Sequence, residues 1–386
     1  MLAGEVTWDV IIVGAGTAGA ATAITLAKLG QRVLLIDEQE KFKASLGESM
    51  PPASLDLVKH FLGDEENWSF NFYRSAGNLS AWVSDQPDLA DFFFSGNGKG
   101  LCIDRLAFDE ALRSRALDAG VTIRRGAAFV SCTRFIDRQL WAVKIKTKYG
   151  EEQIDARYIV DGSGRRAMVA KSLGVQQLEI HDQLFAYAQS FVSHEIDDDR
   201  FTRIEATPNG WWYTNRIPNP LGRESKRLVM FYSDKDLPEA KMAGNTLGFC
   251  ALMNEAPLIV SLLKTKAYVP TGKIRGAPAN SQRLQACCGD SWLAVGDAMQ
   301  AFDPLSSQGI DKALRSGSSA GHFIFYALTD SAPQTKLDSS NPYICQYIEQ
   351  QLQSWQKYVK KRDYFYTMQN RWRDRPFWSR RNRPQP

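Results

Sequence analysis

The residues with the clearest chemical purpose are Gly14-Ala15-Gly16-Thr17-Ala18-Gly19. They form a G-x-G-x-x-G turn between the apolar run Val10-Ile11-Ile12-Val13 and a small-residue stretch over 20–29. A strand must stop abruptly there, the backbone must touch a pyrophosphate, and a helix must begin with its free N–H groups aimed at that anion. Side chains are therefore excluded at three points. A second apolar run, Val33-Leu34-Leu35-Ile36, leads to Asp37, 18 residues past Gly19. An acid at that distance is placed to accept from a ribose 2′-OH. The pattern predicts a dinucleotide held by Gly14, Gly16, Ala18, Gly19 and Asp37.

These groups need a β-α-β unit to position them, and the spacing predicts one at the start of the chain: strand 10–13, helix 20–29 closed by Gly30, and strand 33–36. A loop with Gly47-Glu48-Ser49-Met50-Pro51-Pro52 follows, then an apolar-periodic helix over 55–62. Aromatics interleaved with Ser, Asn and Gly from Trp68 through Trp82 to 92–94 predict strands of an inserted antiparallel sheet. Arg105 opens a helix over 106–119, a strand leads from 121 towards Val130, and a hairpin pairs 141–148 with 153–159. Residues 175–275 read as mostly β, with strands over 184–192, 210–217 and 227–232 and a helix over 246–263. The first unit resumes at 291 with a strand over 292–295, then a loop and helix over 303–328. A long helix over 343–368 follows.

At 386 residues, 44% hydrophobic and 23% charged, the chain has the composition of an ordinary globular protein with room for two packed domains. Its net charge of +4 hides an asymmetry. Residues 357–386 hold ten Lys or Arg against Asp363 and Asp374, so the rest of the chain is net −4. A basic, aromatic end suits an acidic partner, a membrane surface or nucleic acid, or is simply a solvated helix and tail; the acidic body disfavours nucleic acid. Six cysteines without paired metal-ligand spacing and only four histidines predict no metal site. Met1 to Asp9 carries no Lys or Arg, so the positive region of a secretory signal is missing. The uncharged stretch 10–27 is long enough to suggest a membrane span, but its glycines fit a buried strand and helix instead. A cytoplasmic protein without a membrane span is expected.

Three further motifs specify the dinucleotide. Trp292-Leu293-Ala294-Val295-Gly296-Asp297-Ala298 resembles the G-D motif of FAD-dependent hydroxylases, in which the Asp accepts from a ribityl hydroxyl. Asp303-Pro304-Leu305-Ser306-Ser307-Gln308-Gly309-Ile310 is similar to the segment that starts a helix pointing at the flavin pyrimidine ring, where a helix N-terminus stabilises negative charge on the reduced flavin. Ile159-Val160-Asp161-Gly162-Ser163-Gly164-Arg165-Arg166 resembles the D-G motif of single-component hydroxylases, and Arg105-Leu106-Ala107-Phe108-Asp109 completes the set. Alone, Gly296-Asp297 and Asp161-Gly162 also fit turns. Together, in this order, they resemble the FAD-dependent monooxygenases of the para-hydroxybenzoate-hydroxylase superfamily.

The resemblance implies FAD as cofactor and O₂ as co-substrate. It also implies cofactor contacts at Glu48, Ser49, Arg105, Val130, Asp161, Gly162, Asp297, Pro304, Gly309 and Ile310, besides the turn and Asp37. No second G-x-G-x-x-G houses NAD(P)H, so NAD(P)H binds in passing or an external reductase supplies electrons. The implied fold is α/β: a Rossmann-type FAD-binding domain (1–68, 98–174 and 276–330), an inserted mostly antiparallel β substrate region (69–97 and 175–275) and a C-terminal helical extension (342–386).

Within the superfamily, Gly47-Glu48-Ser49 with its Pro-Pro, Gly210-Trp211-Trp212-Tyr213 and the 303–310 loop look most like the halogenase-like branch. Halogenases place a Lys after the Gly-Glu-Ser loop, a W-x-W-x-I-P motif and a Glu in the flavin loop. Here 71–82 has no Lys, Trp212 to Pro218 is the wrong length and Ser306 takes the Glu position, so halogenation is not expected. What remains is similar to the flavoproteins that mature cysteine tryptophylquinone in glycine oxidase and lysine ε-oxidase. Arg74 to Trp82, Arg371-Trp372 and Phe377-Trp378-Ser379-Arg380-Arg381 share in that likeness.

That resemblance implies hydroxylation of a tryptophan on a precursor of a quinone-cofactor amino-acid oxidase. A small-molecule aromatic hydroxylase, a double-bond reductase and a flavin-bearing escort of the oxidase are the alternatives. No Ser-His-Asp arrangement stands out, and an electron-rich indole needs little activation by a base. Glu48 handles a proton or binds the strap over the flavin; Trp211, Trp212 and Tyr213 line a substrate cavity or belong to a core.

Overall fold

The structure, a computed structural model, describes residues 8–42, 46–92, 98–179, 182–219, 222–330 and 338–382. Phe93 and Phe94, read above as strand, lie outside them. Trp8–Val13 is central in an eight-stranded sheet and pairs in parallel with Val33–Asp37 on one side and Gly150–Asp161 on the other. Thr122–Arg125 and Trp292–Ala294 extend the parallel set outwards on the two sides. Because both faces are covered, Val10 to Val13 and Val33 to Ile36 are buried without alternation, which is why they are continuous apolar runs. Helix Thr17–Lys28 follows the first strand and packs against helix Gly309–Thr329. A Cβ at Gly317 would sit 2.5 Å from Ala18 O, so the two helices meet backbone to backbone.

A second, seven-stranded sheet runs in the order Val269–Pro278, Leu184–Ser193, Ser225–Asp234, Gly210–Arg216, Phe201–Thr207, Gly77–Ala81, Asp88–Asp91. It is antiparallel except where Gly77–Ala81 pairs in parallel with Phe201–Thr207, a pairing the expected inserted antiparallel sheet did not contain. Ser49–Met50, Gly100–Ile103 and Phe72–Ser75 form a small sheet between the two large ones. The helix expected over 246–263 is two helices, Thr246–Met253 and Pro257–Thr265, bent by 110°. Pro257 supplies the break: it disfavours helical backbone at Ala256, which lies at φ −116° and ψ 74°, and starts the next helix. Among the described residues, no single helix is long and apolar enough to cross a membrane.

The basic end packs inward. Tyr366, Phe377 and Trp378 are fully buried with Trp82, Trp211 and Tyr232 on one face of the seven-stranded sheet. Arg381 pairs with Asp234 at 2.6 Å, Arg380 with Asp236 at 2.6 Å, and Arg362 with Asp182. Most of the aromatic side chains that suggested a docking surface therefore build the protein's own core.

Candidate active site

The first strand ends in the 14–19 turn, with Gly14 at φ +103° and packed so closely that a Cβ would strike Gly162 O. Only glycine accepts both the conformation and the contact. Helix Thr17–Lys28 then starts at Gly16 without a side-chain cap, and nothing lies within 4 Å of a Cβ built on Gly16. Its free N–H groups thus face open space. Asp37 is aimed at the turn, accepting from Ala15 N and Gln39 N, both at 2.8 Å, with lone pairs left for a further donor. Beside it, a shallow groove is lined by Gly14, Asp37, Glu38, Ala127, Phe129 and Arg166.

The late loop reaches the same place. A Cβ at Gly296 would sit 2.6 Å from Ala18 Cβ, so the turn holding Asp297 abuts the 14–19 turn across nearly the whole chain. The Asp297 side chain is 40% exposed amid buried neighbours. Lys312, only 5% exposed, donates to Asp297 Oδ1 at 2.6 Å and to Gln300 O, and lies 4.6 Å from the Phe302 ring centroid; Arg165 is 3.9 Å from Asp297 Oδ2. Burial opposes ionisation of Asp297, but Lys312 and Arg165 outweigh it and hold the carboxyl below the usual aspartate value. Burial in turn pulls the Lys312 ammonium below its ordinary value, against the attraction of Asp297. Helix Gly309–Thr329 likewise begins without a side-chain cap, and a Cβ on Gly309 would meet nothing within 4 Å.

The 46–49 loop closes the third side. Arg105 donates to Thr17 Oγ1 at 2.8 Å, Asp109 Oδ2 at 3.0 Å, and the carbonyls of Gly47 at 3.3 Å and Leu46 at 3.4 Å. It ties the loop to the start of helix Thr17–Lys28. Glu48 is buried, accepts from Gly47 N at 3.1 Å, and sits next to Ser49, whose Oγ accepts from Tyr213 OH at 3.0 Å. Burial lifts the Glu48 pKa from the usual 4.5 to about 7, against the pull of the Gly47 N–H and the Arg105 and Arg275 charges. Burial likewise pushes the neighbouring Cys102 thiol up to about 11, which keeps it protonated.

Three expected positions need correction. Trp212 pairs opposite Phe231 and packs with Phe191, Val229 and Phe249, on the face away from Glu48. Strand alternation turns Trp211 and Tyr213 to the near face and carries Trp212 out of any cavity there. The Asp161 carboxylate is fully buried and accepts from Ser163 N at 3.1 Å, Ser163 Oγ at 2.6 Å and Ala170 N at 2.9 Å. It braces the turn from behind, while Gly162 meets the 14–19 turn through its backbone, Gly162 N donating to Val13 O at 2.8 Å. The Val130 side chain is 42% exposed and Phe129 lines the groove instead; Val130 is the residue skipped where the register with Leu140–Thr147 shifts. Pro304 opens a short turn capped by Asp303, whose carboxylate accepts from Leu305 N at 2.9 Å, and Ile310 is buried one residue into its helix.

Sequence reasoning missed Lys312 and Arg165. The signal for Lys312 was a charge among the apolar positions Ile310, Leu314 and Ala320 on the buried face of its helix. Two uncapped helix ends with open space before them, and a carboxylate on each side, suit an elongated diphosphate cofactor with hydroxyls along its middle. FAD is such a molecule.

The chain matches the FAD binding domain family over residues 7–353. It belongs to that family. It is an FAD-dependent oxidoreductase. The chain is similar to the FAD-dependent oxidoreductase LodB of Marinomonas mediterranea, 26% identical over 384 residues and 97% of each protein. It is also similar to the 1H-pyrrole-2-carbonyl-[peptidyl-carrier protein] brominase of Pseudoalteromonas luteoviolacea, 24% identical over 83% of this chain and 78% of the brominase. Among solved structures, the myxobacterial chondrochloren halogenase CndH shares the fold at a TM-score of 0.84 and 22% identity, covering 98% of this chain and 86% of that one. The peptidyl tryptophan dihydroxylase QhpG, described as essential for tryptophylquinone cofactor biogenesis, aligns at a TM-score of 0.73 and 22% identity over 97% and 79% of the two chains.

Proposed function

We propose that this FAD-binding protein is a monooxygenase that hydroxylates a tryptophan in a partner precursor protein during cysteine tryptophylquinone formation. The observation that carries the reading is the placement of Glu48, a buried acid in the loop that Arg105 ties to Thr17 and that Ser49 joins to Tyr213 on the aromatic face of the second sheet. Similarity to LodB along almost the whole chain, and the fold shared with a dihydroxylase of peptidyl tryptophan, support the choice of substrate.

Bound FAD would supply activation of O₂ for transfer into an electron-rich ring. Gly16 and Gly309, at their uncapped helix ends, together with Asp37, Asp297 and Arg105, are the groups placed to hold it. Around neutral pH Glu48 is divided between acid and carboxylate, so its Oε atoms can give a proton to a departing oxygen and take one back. Trp211, Tyr213, Tyr232 and Trp82 form a packed aromatic wall beside Glu48 and Ser49, with Leu46 and Leu305 against it, that keeps water away from the acid.

Co-expression with a candidate precursor oxidase, followed by intact-mass analysis of that precursor, tests the reading. Added oxygen on a tryptophan is the expected result. An unchanged mass with improved solubility would instead make the chain an escort, and oxygen transferred only to free indoles would make it a small-molecule hydroxylase.

A further inference from the structure

The loop ahead of helix Gly309–Thr329 is not held by the FAD-binding fold alone. Helix Pro342–Met368 presents Tyr358, Arg362 and Tyr366 at intervals of four residues, hence on one face, and all three converge on Asp303. Asp303 N donates to Tyr358 OH at 2.8 Å, Tyr366 OH donates to Asp303 Oδ2 at 2.7 Å, and Arg362 Nε lies 3.7 Å from the same oxygen. Tyr366 OH also accepts from Trp211 Nε1 at 3.1 Å, which links the stripe to the aromatic sheet face. Asp303 and Tyr366 are fully buried, with Tyr358 and Arg362 nearly so. The match to the FAD binding domain ends at residue 353, before the first of the three.

We propose that Tyr358, Arg362 and Tyr366 are positioning residues of the flavin site, acting through Asp303 to fix where the 304–309 segment lies and where helix Gly309–Thr329 begins. A buried carboxylate needs donors, and Asp303 finds them outside its own loop, from Tyr366 and the Arg362 charge, besides Leu305 N. The residues that follow, 304 to 309, are all partly or fully exposed, so this anchor is what gives the segment a defined start. The positive end of the helix stabilises negative charge that is greater on reduced than on oxidised flavin. A displaced helix end therefore weakens the reduced form more.

The inference rests on FAD being the ligand, and the test separates the two claims. Tyr366→Phe and the double variant Tyr358→Phe/Tyr366→Phe keep ring packing and remove the hydroxyls. FAD affinity is measured by titrating the protein stripped of flavin, and the midpoint potential of the bound flavin by reductive titration. The double variant is expected to bind FAD about tenfold more weakly, with reduced flavin losing a further tenfold, a fall of about 30 mV for the two-electron couple. The single variant shifts the same way by less. Arg380→Met, which removes the pair with Asp236 from the same C-terminal segment without touching Asp303, lowers thermal stability but leaves affinity and potential in place. Affinity within twofold of the parent and a potential within about 9 mV of it in the double variant would overturn the proposal. A parent protein that bound no FAD would contradict the cofactor reading instead.

Discussion

Asp297→Ala is expected to purify colourless, with FAD affinity reduced at least a hundredfold. We propose Asp297 as the acceptor that the late loop contributes; its charge is maintained by Lys312 at 2.6 Å and Arg165 at 3.9 Å. A charged acceptor given to a hydroxyl is worth roughly 1.5–3 kcal/mol, and its loss also leaves the Lys312 ammonium buried with only Gln300 O and the Phe302 ring. About 3 kcal/mol corresponds to roughly a hundredfold in affinity. The ratio of flavin to protein absorbance after purification reads the result directly. Full yellow colour would show that the late loop does not hold the cofactor.

Glu48→Gln should retain FAD and lose chemistry. A positioned acid or base contributes about 10²–10⁴-fold, so the single-turnover rate of oxygen transfer to a tryptophan-bearing partner should fall by that range. The parent rate, if set by proton donation, declines as pH rises past about 7, and the glutamine variant lacks that break. The same group makes a prediction for stability with a definite sign. Its pKa is raised in the folded state, so between pH 4.5 and about 7 the folded protein holds a proton that the unfolded chain has released, and stability falls as pH rises through that window. The full effect is about 3 kcal/mol, and denaturant melts of the flavin-free protein should show it in the parent and not in the variant. Unchanged turnover and an unchanged pH profile would remove Glu48 from the chemistry.

What the sequence reveals here depends on whether the reason for a residue is local. The 14–19 turn is legible because its glycines answer steric demands within a few residues, and the buried parallel strands because both faces are covered, giving runs such as 10–13 and 33–36. The break at Pro257 was legible too, and reading 246–263 as one helix overlooked it. Trp212 shows the opposite case. Three consecutive aromatics on a strand must alternate, but which of them meets Glu48 is decided by a partner sheet far away in the chain. Asp161 is similar: a D-G pair looks the same whether its carboxylate faces a ligand or, as here, caps Ser163 and Ala170. In the basic end the charges are plain in the sequence, while the buried acids that receive them, Asp182, Asp234 and Asp303, come from three different segments.

The central claim is that oxygen activated at the clasped flavin reaches a tryptophan of another polypeptide. The most direct measurement is a single turnover of the reduced FAD-loaded protein with its partner precursor under isotopically heavy O₂, followed by mass mapping of the partner. Heavy oxygen on one tryptophan, lost in Glu48→Gln, is the expected outcome. Heavy oxygen found only in hydrogen peroxide, with every partner tryptophan unlabelled, would contradict it.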